Sequence, residues 1–241
     1  MRLAIISDIH GNLEAFKEVL ADIDRLDIEQ SICLGDNIGY GPDPEGVLNL
    51  LRSRNIPSVI GNHELGILDK HTLSHFNPLA AKVLMQTEEM LSDESKAYIK
   101  ELPVSLASQG ALFVHGCPPD SVDTYLFELA SWEFKKIFKE SDTDIFFVGH
   151  THELQLISFS GEQVIRQYLN RGTVRLDSNE RYIINAGSVG QPRDGNNNAK
   201  YVVWDDTDKT IEVRFIPYDI EKTAKKILSL GFYRTFADRL W

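Results

Sequence analysis

The sequence predicts an α/β fold in a single domain over residues 1–241, and three observations lead there. Short apolar runs alternate with amphipathic helical segments over the first 60 residues, a rhythm that indicates parallel strand pairing. Five of the predicted strands stop at turns that combine glycine with aspartate, asparagine or histidine. The composition, 42% hydrophobic and 25% charged, is that of a soluble globular chain long enough to bury a sizeable core.

The first strand is Leu3–Ser7, followed by Asp8-Ile9-His10-Gly11-Asn12. A helix from Leu13 to Leu26 comes next, with Leu13, Phe16, Val19, Leu20, Ile23 and Leu26 recurring at three- and four-residue spacing as a buried stripe. Gln30–Leu34 is a strand stopped by Gly35-Asp36. The turn Gly39-Tyr40-Gly41-Pro42 leads to a second amphipathic helix from about Pro44 to Arg52. Pro57–Ile60 reads as a third strand, ended by Gly61-Asn62-His63-Glu64. Residues 65 to about 107 break the rhythm and are expected to form a helical insertion beside the site, punctuated by Asn77-Pro78. Ala111–Val114 and Ile145–Val148 are further strands, separated by a helix that Ser131 caps and that runs through Lys139. The style then changes. Leu154–Phe159, Val164–Tyr168, Tyr182–Asn185, Tyr201–Trp204 and Ile211–Ile216 are short β runs between Gly, Asn and Asp turns, predicting a largely antiparallel or mixed second half. A helix from about Ile220 to Leu230 closes it.

Charge and composition narrow the function. With 25 Lys+Arg against 36 Asp+Glu, the net charge is −11. No lysine- and arginine-rich stripe offers itself to a nucleic-acid backbone, so nucleic acid is not an expected partner. Lys135-Lys136 and the lysines from Lys222 to Lys226 read as solvated helix faces. No stretch approaches the roughly 20 apolar residues of a membrane helix, and no membrane partner is expected. Two cysteines, Cys33 and Cys117, make no disulfide framework, which points to a reducing, cytoplasmic setting. An acidic chain that holds phosphate needs a concentrated local positive charge, and bound metal would supply it.

The strand ends carry the chemistry. Asp8/His10, Asp36, Asn62/His63, His115 and His150/His152 all follow predicted strands. In α/β sheets the carboxyl ends of the strands converge on one rim, where ligands bind. Taken singly, each group has an ordinary reading as a turn or helix cap. Together they deliver two aspartates, an asparagine and five histidines to one place, and unrelated turns have no reason to choose metal-ligand side chains five times.

In order, Asp8-Ile9-His10, Gly35-Asp36, Gly61-Asn62-His63-Glu64, Val114-His115-Gly116 and Gly149-His150-Thr151-His152 resemble the signature of the calcineurin-like metallophosphoesterases. The later Asn185-Ala186-Gly187-Ser188-Val189-Gly190-Gln191-Pro192-Arg193 is similar to the C-terminal motif of that superfamily's bacterial phosphodiesterase-like branch. The resemblance implies an α+β four-layer arrangement: two mixed β-sheets packed as a sandwich, flanked by helices, with two metals between the sheet ends. By motif, Asp8, His10 and His152 would hold the first ion, Asn62, His115 and His150 the second, and Asp36 would bridge them. His63 would face the substrate as the catalytic histidine. Imidazole with carboxylate suits Mn or Fe, with Zn or Ni also accepted. Two such ions acidify a bridging water, so the implied reaction is in-line attack of hydroxide on phosphorus.

The sequence departs from the protein-phosphatase pattern in two places. Tyr40 stands where that pattern has a phosphate-gripping arginine, and Gly39 where it has an aspartate that orients the catalytic histidine. A tyrosine cannot reproduce the bidentate grip that suits a phosphomonoester dianion. Small phosphodiesters or nucleotide phosphoanhydrides are therefore the leading substrates, with Tyr40 and Arg193 as candidate substrate contacts. Arg193 would return a positive group from another loop. A phosphomonoesterase or phosphoprotein phosphatase is the second reading. The third is a catalytically silent scaffold like the retromer subunit of this fold, which lacks the catalytic histidine that His63 supplies here.

Overall fold

Alternation along the first strand sets the layers of the computed structural model, which describes residues 1–241. In β1 (Arg2–Ile6), Leu3 and Ile5 face one side and Ala4 and Ile6 the other, and all four are buried. A strand covered on both faces belongs at the centre of a layered structure. The chain continues as α1 (Leu13–Arg25), β2 (Gln30–Cys33), α2 (Pro44–Ser53), α3 (Asn62–Leu68), α4 (Lys70–Ser74), α5 (Pro78–Glu89) and α6 (Asp93–Lys100). Then come β3 (Ser105–Ser108), β4 (Ala111–Val114), α7 (Ser131–Glu140), β5 (Ile145–Val148), β6 (Leu154–Phe159), β7 (Val164–Tyr168) and β8 (Gly172–Arg175). The last elements are β9 (Arg181–Ala186), β10 (Ala199–Asp205), β11 (Thr210–Ile216), α8 (Ile220–Ser229) and α9 (Arg234–Asp238).

The strands form a five-stranded sheet, β2-β1-β10-β11-β8, and a six-stranded sheet, β3-β4-β5-β9-β6-β7. Both are mixed: β1 runs parallel to β2, and β4, β5 and β9 are mutually parallel, while the other pairings are antiparallel. Leu3, Ile5, Phe113, Phe147, Ile184 and Trp204 are among the side chains filling the space between the sheets. The opposite face of the first sheet packs on α1 and α2 through Ala4, Ile6, Phe16, Val19 and Val47. The opposite face of the second packs on α7 through Phe134, Phe138, Phe146 and Val148. Helix, sheet, sheet, helix is the four-layer sandwich expected from the sequence.

Asn12 starts α1 by accepting from the backbone N–H of Ala15 at 3.2 Å, the usual device for an unpaired helix N–H. Farther along α1, buried Asp22 accepts from Arg214 at 3.0 Å through both oxygens, from Tyr201 at 2.7 Å and from Arg25 at 2.9 Å. This clamp ties α1 to β10 and β11.

Several predicted elements change. Residues 57–60 form no strand, only a parallel bridge from Ser58 to Cys33. Pro57 has no N–H to give a ladder, and the Ile60 N–H leaves the sheet for the carbonyl of Pro103 at 2.8 Å. The segment expected to be helical through 107 ends its helices at Lys100 and returns as β3. Ala130, not Ser131, caps α7, and Glu133 accepts its N–H at 2.8 Å. Lys226 is no solvated bystander: it donates to Glu14 at 2.7 Å and Asp43 at 2.8 Å, joining α8 to the first layer. Strand β8 and helix α9 have no counterpart in the sequence reading.

Candidate metal centre

Left-handed backbone marks the rim. Asp8, His10, Asp36, Tyr40, His150 and His152 all have φ between 48° and 67°, a conformation that costs a side-chain-bearing residue energy and that clusters at functional sites. The turns are held from several directions. His10 N–H donates to Asp36 O at 2.9 Å and Gly11 N–H to Asn37 O at 2.8 Å, extending the β1–β2 pairing past the strands. Ser188 and Gly190 both bond the carbonyl of Asp8, at 2.8 and 2.9 Å, and Asn185 donates to Gly149 O at 2.6 Å. The Asn185–Arg193 segment thus braces the strand-end turns. Gly149 is required there by contact, since a Cβ would sit 1.9 Å from the Ser7 hydroxyl.

The structure brings Asp8, His10, Asp36, Asn62, His63, His115, His150 and His152 to one rim. All are buried apart from Asn62, which is half-buried. His10 Nδ1 donates to Ile38 O at 3.0 Å, His152 Nδ1 to Gln191 O at 2.5 Å and His115 Nδ1 to Leu34 O at 2.7 Å. A carbonyl can only accept, so each ring carries its proton on Nδ1 and turns an Nε2 lone pair into the site. His150 is reversed: Nε2 donates to Asp123 O at 3.0 Å, which frees Nδ1.

These lone pairs converge. His10 Nε2 and His152 Nε2 are 3.0 Å apart, and Asp8 Oδ1 lies 3.8 and 3.3 Å from them, buried and without a hydrogen-bond partner. Asp36 Oδ2 lies 3.7 Å from His10 Nε2 and 3.3 Å from His115 Nε2, and Asn62 Oδ1 is 3.2 Å from His115 Nε2. Asp8–His10–His152 and Asp36–His115–His150 are each grouped closely enough to hold one ion, and His63 joins Asp36 and His10 in a third grouping. Facing lone pairs repel one another unless a cation or proton lies between them, so the donor set fits divalent metal.

The acid–base properties agree. Burial works against the charge on Asp8, but His152 and His115 outweigh it and hold its carboxyl below the usual range. Asp36 is likewise held low against burial, chiefly by His115 and His63. Burial opposes a charge on His115 too, yet the Asp36 and Asp8 carboxylates raise it to about 9, so without metal a proton sits on Nε2 facing Asp36, in the place a bound cation would take. Burial, reinforced by His63 and His152, lowers His10, and burial with His115 lowers His150 to about 3. A buried cluster of this kind keeps its carboxylates ionised and demands a compensating positive charge.

His63 lies at the pocket side of this cluster, its Nε2 3.9 Å from Asp36 Oδ2. Its Nδ1 has no partner, and a Cβ on Gly39 would approach that nitrogen to 2.1 Å. No orienting carboxylate therefore occupies the place of Gly39. Burial lowers His63 to about 4, with Asp36 opposing. Its backbone N–H donates to Asp36 Oδ1 at 2.8 Å.

The pocket is a cavity of about 310 Å³, lined by Asp36, Asn62, His63, His150, His152, Tyr40 and Arg193 among others. Tyr40 packs its ring 4.7 Å from His10 and 4.6 Å from His63. Burial raises its phenol, opposed by Arg193. His75 and Thr72 reach the mouth from α4 and its end, while His71 does not. Cys33 Sγ donates to Asn37 Oδ1 at 2.9 Å, inside the support of the Asp36 turn.

The sequence reading missed the residue that supports both turns. Glu64 is wholly buried and accepts N–H bonds from Asp36, Asn37, Ile38 and Gly61 at 2.9, 2.7, 3.3 and 2.9 Å. Its position in the fourth place of the Gly61–Glu64 motif was the available signal. Asp123, Tyr125 and Phe76, which also line the pocket, lie in segments with no periodic pattern and gave none.

A layered α/β sandwich whose strand ends gather aspartate and histidine lone pairs is a protein shaped to hold metal ions. The sequence matches the calcineurin-like phosphoesterase superfamily domain over residues 1–209. It is similar to an uncharacterized protein of Methanocaldococcus jannaschii, 35% identical with 99% of this chain and 97% of that protein covered. The structure is similar to a metallophosphoesterase from Sphaerobacter thermophilus, with a TM-score of 0.85 and 33% identity over 100% of this chain and 98% of the other. A hypothetical protein from Pyrococcus horikoshii OT3 shares the fold at TM-score 0.81 and 18% identity, covering 100% and 97% of the two chains. The chain belongs to the calcineurin-like phosphoesterase superfamily, and membership implies phosphoester hydrolysis. No helix is long and apolar enough to cross a membrane.

Proposed function

We propose that this chain hydrolyses small phosphodiesters or nucleotide phosphoanhydrides with two divalent metal ions. The observation that carries the reading is the convergence of imidazole Nε2 atoms on Asp8 Oδ1 and Asp36 Oδ2 in a buried rim. Asp8, His10 and His152 would hold one ion and Asn62, His115 and His150 the other. Asp36 Oδ2, lying between His10 and His115, would serve both. Mn or Fe suits this donor set best, with Zn or Ni also accommodated. When bound, such ions supply positive charge to phosphate oxygens and lower the pKa of a water shared between them. Two dications against two carboxylates leave a cationic pocket in a chain of net charge −11.

The remaining work falls to the chain's own groups. His63 faces the pocket from the first turn of α3, and its ring, kept neutral by burial, is placed to give a hydrogen bond to the leaving oxygen. Tyr40 offers a phenol where a guanidinium would grip a dianion, and exposed Arg193 supplies a single cation beside it. One weaker grip favours the singly charged phosphorus of a diester or anhydride over a monoester dianion. Cys33 and Cys117 are free and buried, which suits a reducing, cytoplasmic setting.

The test compares bis-p-nitrophenyl phosphate with p-nitrophenyl phosphate after chelation and Mn²⁺ re-addition, with His63→Ala beside the wild type. Metal-dependent turnover favouring the diester, lost in the variant, is expected. Preference for the monoester would move the assignment to a phosphatase, and a folded, metal-loaded protein without turnover would make it a scaffold.

A further inference from the structure

A second cleft of about 550 Å³ adjoins the metal pocket, and Tyr40, Asn77, Tyr125 and Arg193 line both. It runs away from the metal ligands towards the end of the chain, where Arg239 and Trp241 complete its wall. Its volume is in the range of pockets that hold a nucleotide-sized ligand.

The electrostatics of this cleft run against those of the chain. The protein carries −11, yet no aspartate or glutamate lines the cleft and two arginines do. Neither has a carboxylate partner: Arg193 donates to the Gln191 side-chain oxygen at 3.2 Å, and Arg239 lies 5.9 Å over the Phe236 ring. The acidic neighbour of Arg193 is engaged elsewhere, because Asp194 pairs with Lys200 at 2.8 Å. That lysine also donates to the carbonyls of Asn196 and Asn198 at 2.5 and 3.1 Å. The loop carrying Arg193 is thereby pinned while its guanidinium is left without a carboxylate. Three aromatic side chains complete the picture. Tyr125 stacks on His150 at 3.8 Å, Tyr40 borders both pockets, and Trp241 is 69% exposed, unusual for a tryptophan.

We propose that this cleft is a nucleotide subsite. Arg193 and Arg239 take the phosphate next to the scissile phosphorus, and the nucleobase stacks against Trp241, whose ring is exposed, while Tyr125 is already stacked on His150 and Phe127. The inference rests on the phosphoesterase reading above and narrows it to nucleotide phosphoanhydrides. Guanidiniums without a carboxylate partner recognise phosphate oxygens, and base–aromatic stacking accepts any base. In the hydrolysis, a water oxygen bonds to the scissile phosphorus and the P–O bond to the bridging oxygen breaks. The leaving phosphate, held by the arginines, keeps the electron pair, and the proton lost by the water passes to solvent.

The test has a binding arm and a turnover arm. ADP, adenosine and inorganic phosphate are titrated into metal-free protein in the presence of chelator, read by tryptophan fluorescence and calorimetry, for wild type, Arg239→Gln and Trp241→Ala. ADP is expected to bind more tightly than either fragment, and each variant to weaken it by about tenfold or more. Steady-state rates on diadenosine tetraphosphate and bis-p-nitrophenyl phosphate follow with Mn²⁺. Each variant should lower kcat/KM for the nucleotide about tenfold more than for the small diester. ADP binding that is absent, or unmoved by both variants, overturns the subsite, as does an equal fall on both substrates. Failure of wild type to turn over bis-p-nitrophenyl phosphate would instead count against the phosphoesterase reading, leaving the binding arm to judge the cleft.

Discussion

Gly39→Ala should cripple hydrolysis while leaving the protein folded. Gly39 has φ of +82°, and a Cβ built on it lies 2.1 Å from His63 Nδ1 and 2.9 Å from Cε1. Because ordinary contact starts near 3.4 Å, the His63 ring has to retreat. A displacement of roughly 1 Å at a reacting group costs about 100-fold in rate. The left-handed backbone adds about 1–2 kcal/mol of strain for any L side chain. For a chain of this size that lowers Tm by about 2–8 °C. Steady-state hydrolysis of bis-p-nitrophenyl phosphate at saturating Mn²⁺, with thermal unfolding of the metal-free protein, measures both effects. His63→Ala sets the floor, and Gly39→Ala should fall near it in kcat with its bound metal unchanged. A variant within threefold of wild-type kcat would refute the placement of His63 at the reacting atoms.

Other perturbations follow from the same geometry. Asp36→Asn should remove the proposed shared ligand: Mn²⁺ at about 100 times its Kd would stabilise the wild type by about 2.7 kcal/mol, and thermal unfolding of the variant should show little of this gain. Asp22→Ala breaks the buried clamp to Arg214 and Tyr201 and should cost about 3 kcal/mol in denaturant unfolding. The Asp22 pKa is lowered despite burial, by Arg214 and Tyr201. Its contribution is therefore fully present above the unfolded pKa and is lost as pH falls below about 4, so the wild-type stability advantage over the variant should shrink there. Tyr40→Arg restores a guanidinium beside the pocket and should shift kcat/KM towards p-nitrophenyl phosphate by about tenfold relative to the diester.

The rim was legible because polar glycine turns and strand ends are coupled in the sequence. An apolar run that stops at glycine and histidine announces both a strand end and a side chain aimed at the rim, so Asp8, Asp36, His115 and His150 could be placed before any fold was known. Elements without such punctuation were harder to read. Strand β8 is an exposed edge whose only half-buried residue is Val174, leaving no alternation to detect. Residues 57–60 have a strand's composition, but the Ile60 N–H goes to the carbonyl of Pro103, more than forty residues later. Partnership with backbone is equally invisible. Glu64 resembles an ordinary first-turn acid until the fold brings the N–H groups of Asp36, Asn37 and Ile38 to its carboxylate. Arg239 and Trp241 are separated from Tyr40 by nearly the whole chain, and the packing of α9 through Phe236, whose ring lies 5.1 Å from that of Tyr40, brings them to the cleft.

The two-ion centre is tested most directly by anomalous-scattering crystallography of protein loaded with Mn²⁺. Two peaks are predicted on either side of Asp36 Oδ2, one among Asp8, His10 and His152 and the other among Asn62, His115 and His150. A single peak, or two that do not share Asp36, would contradict it.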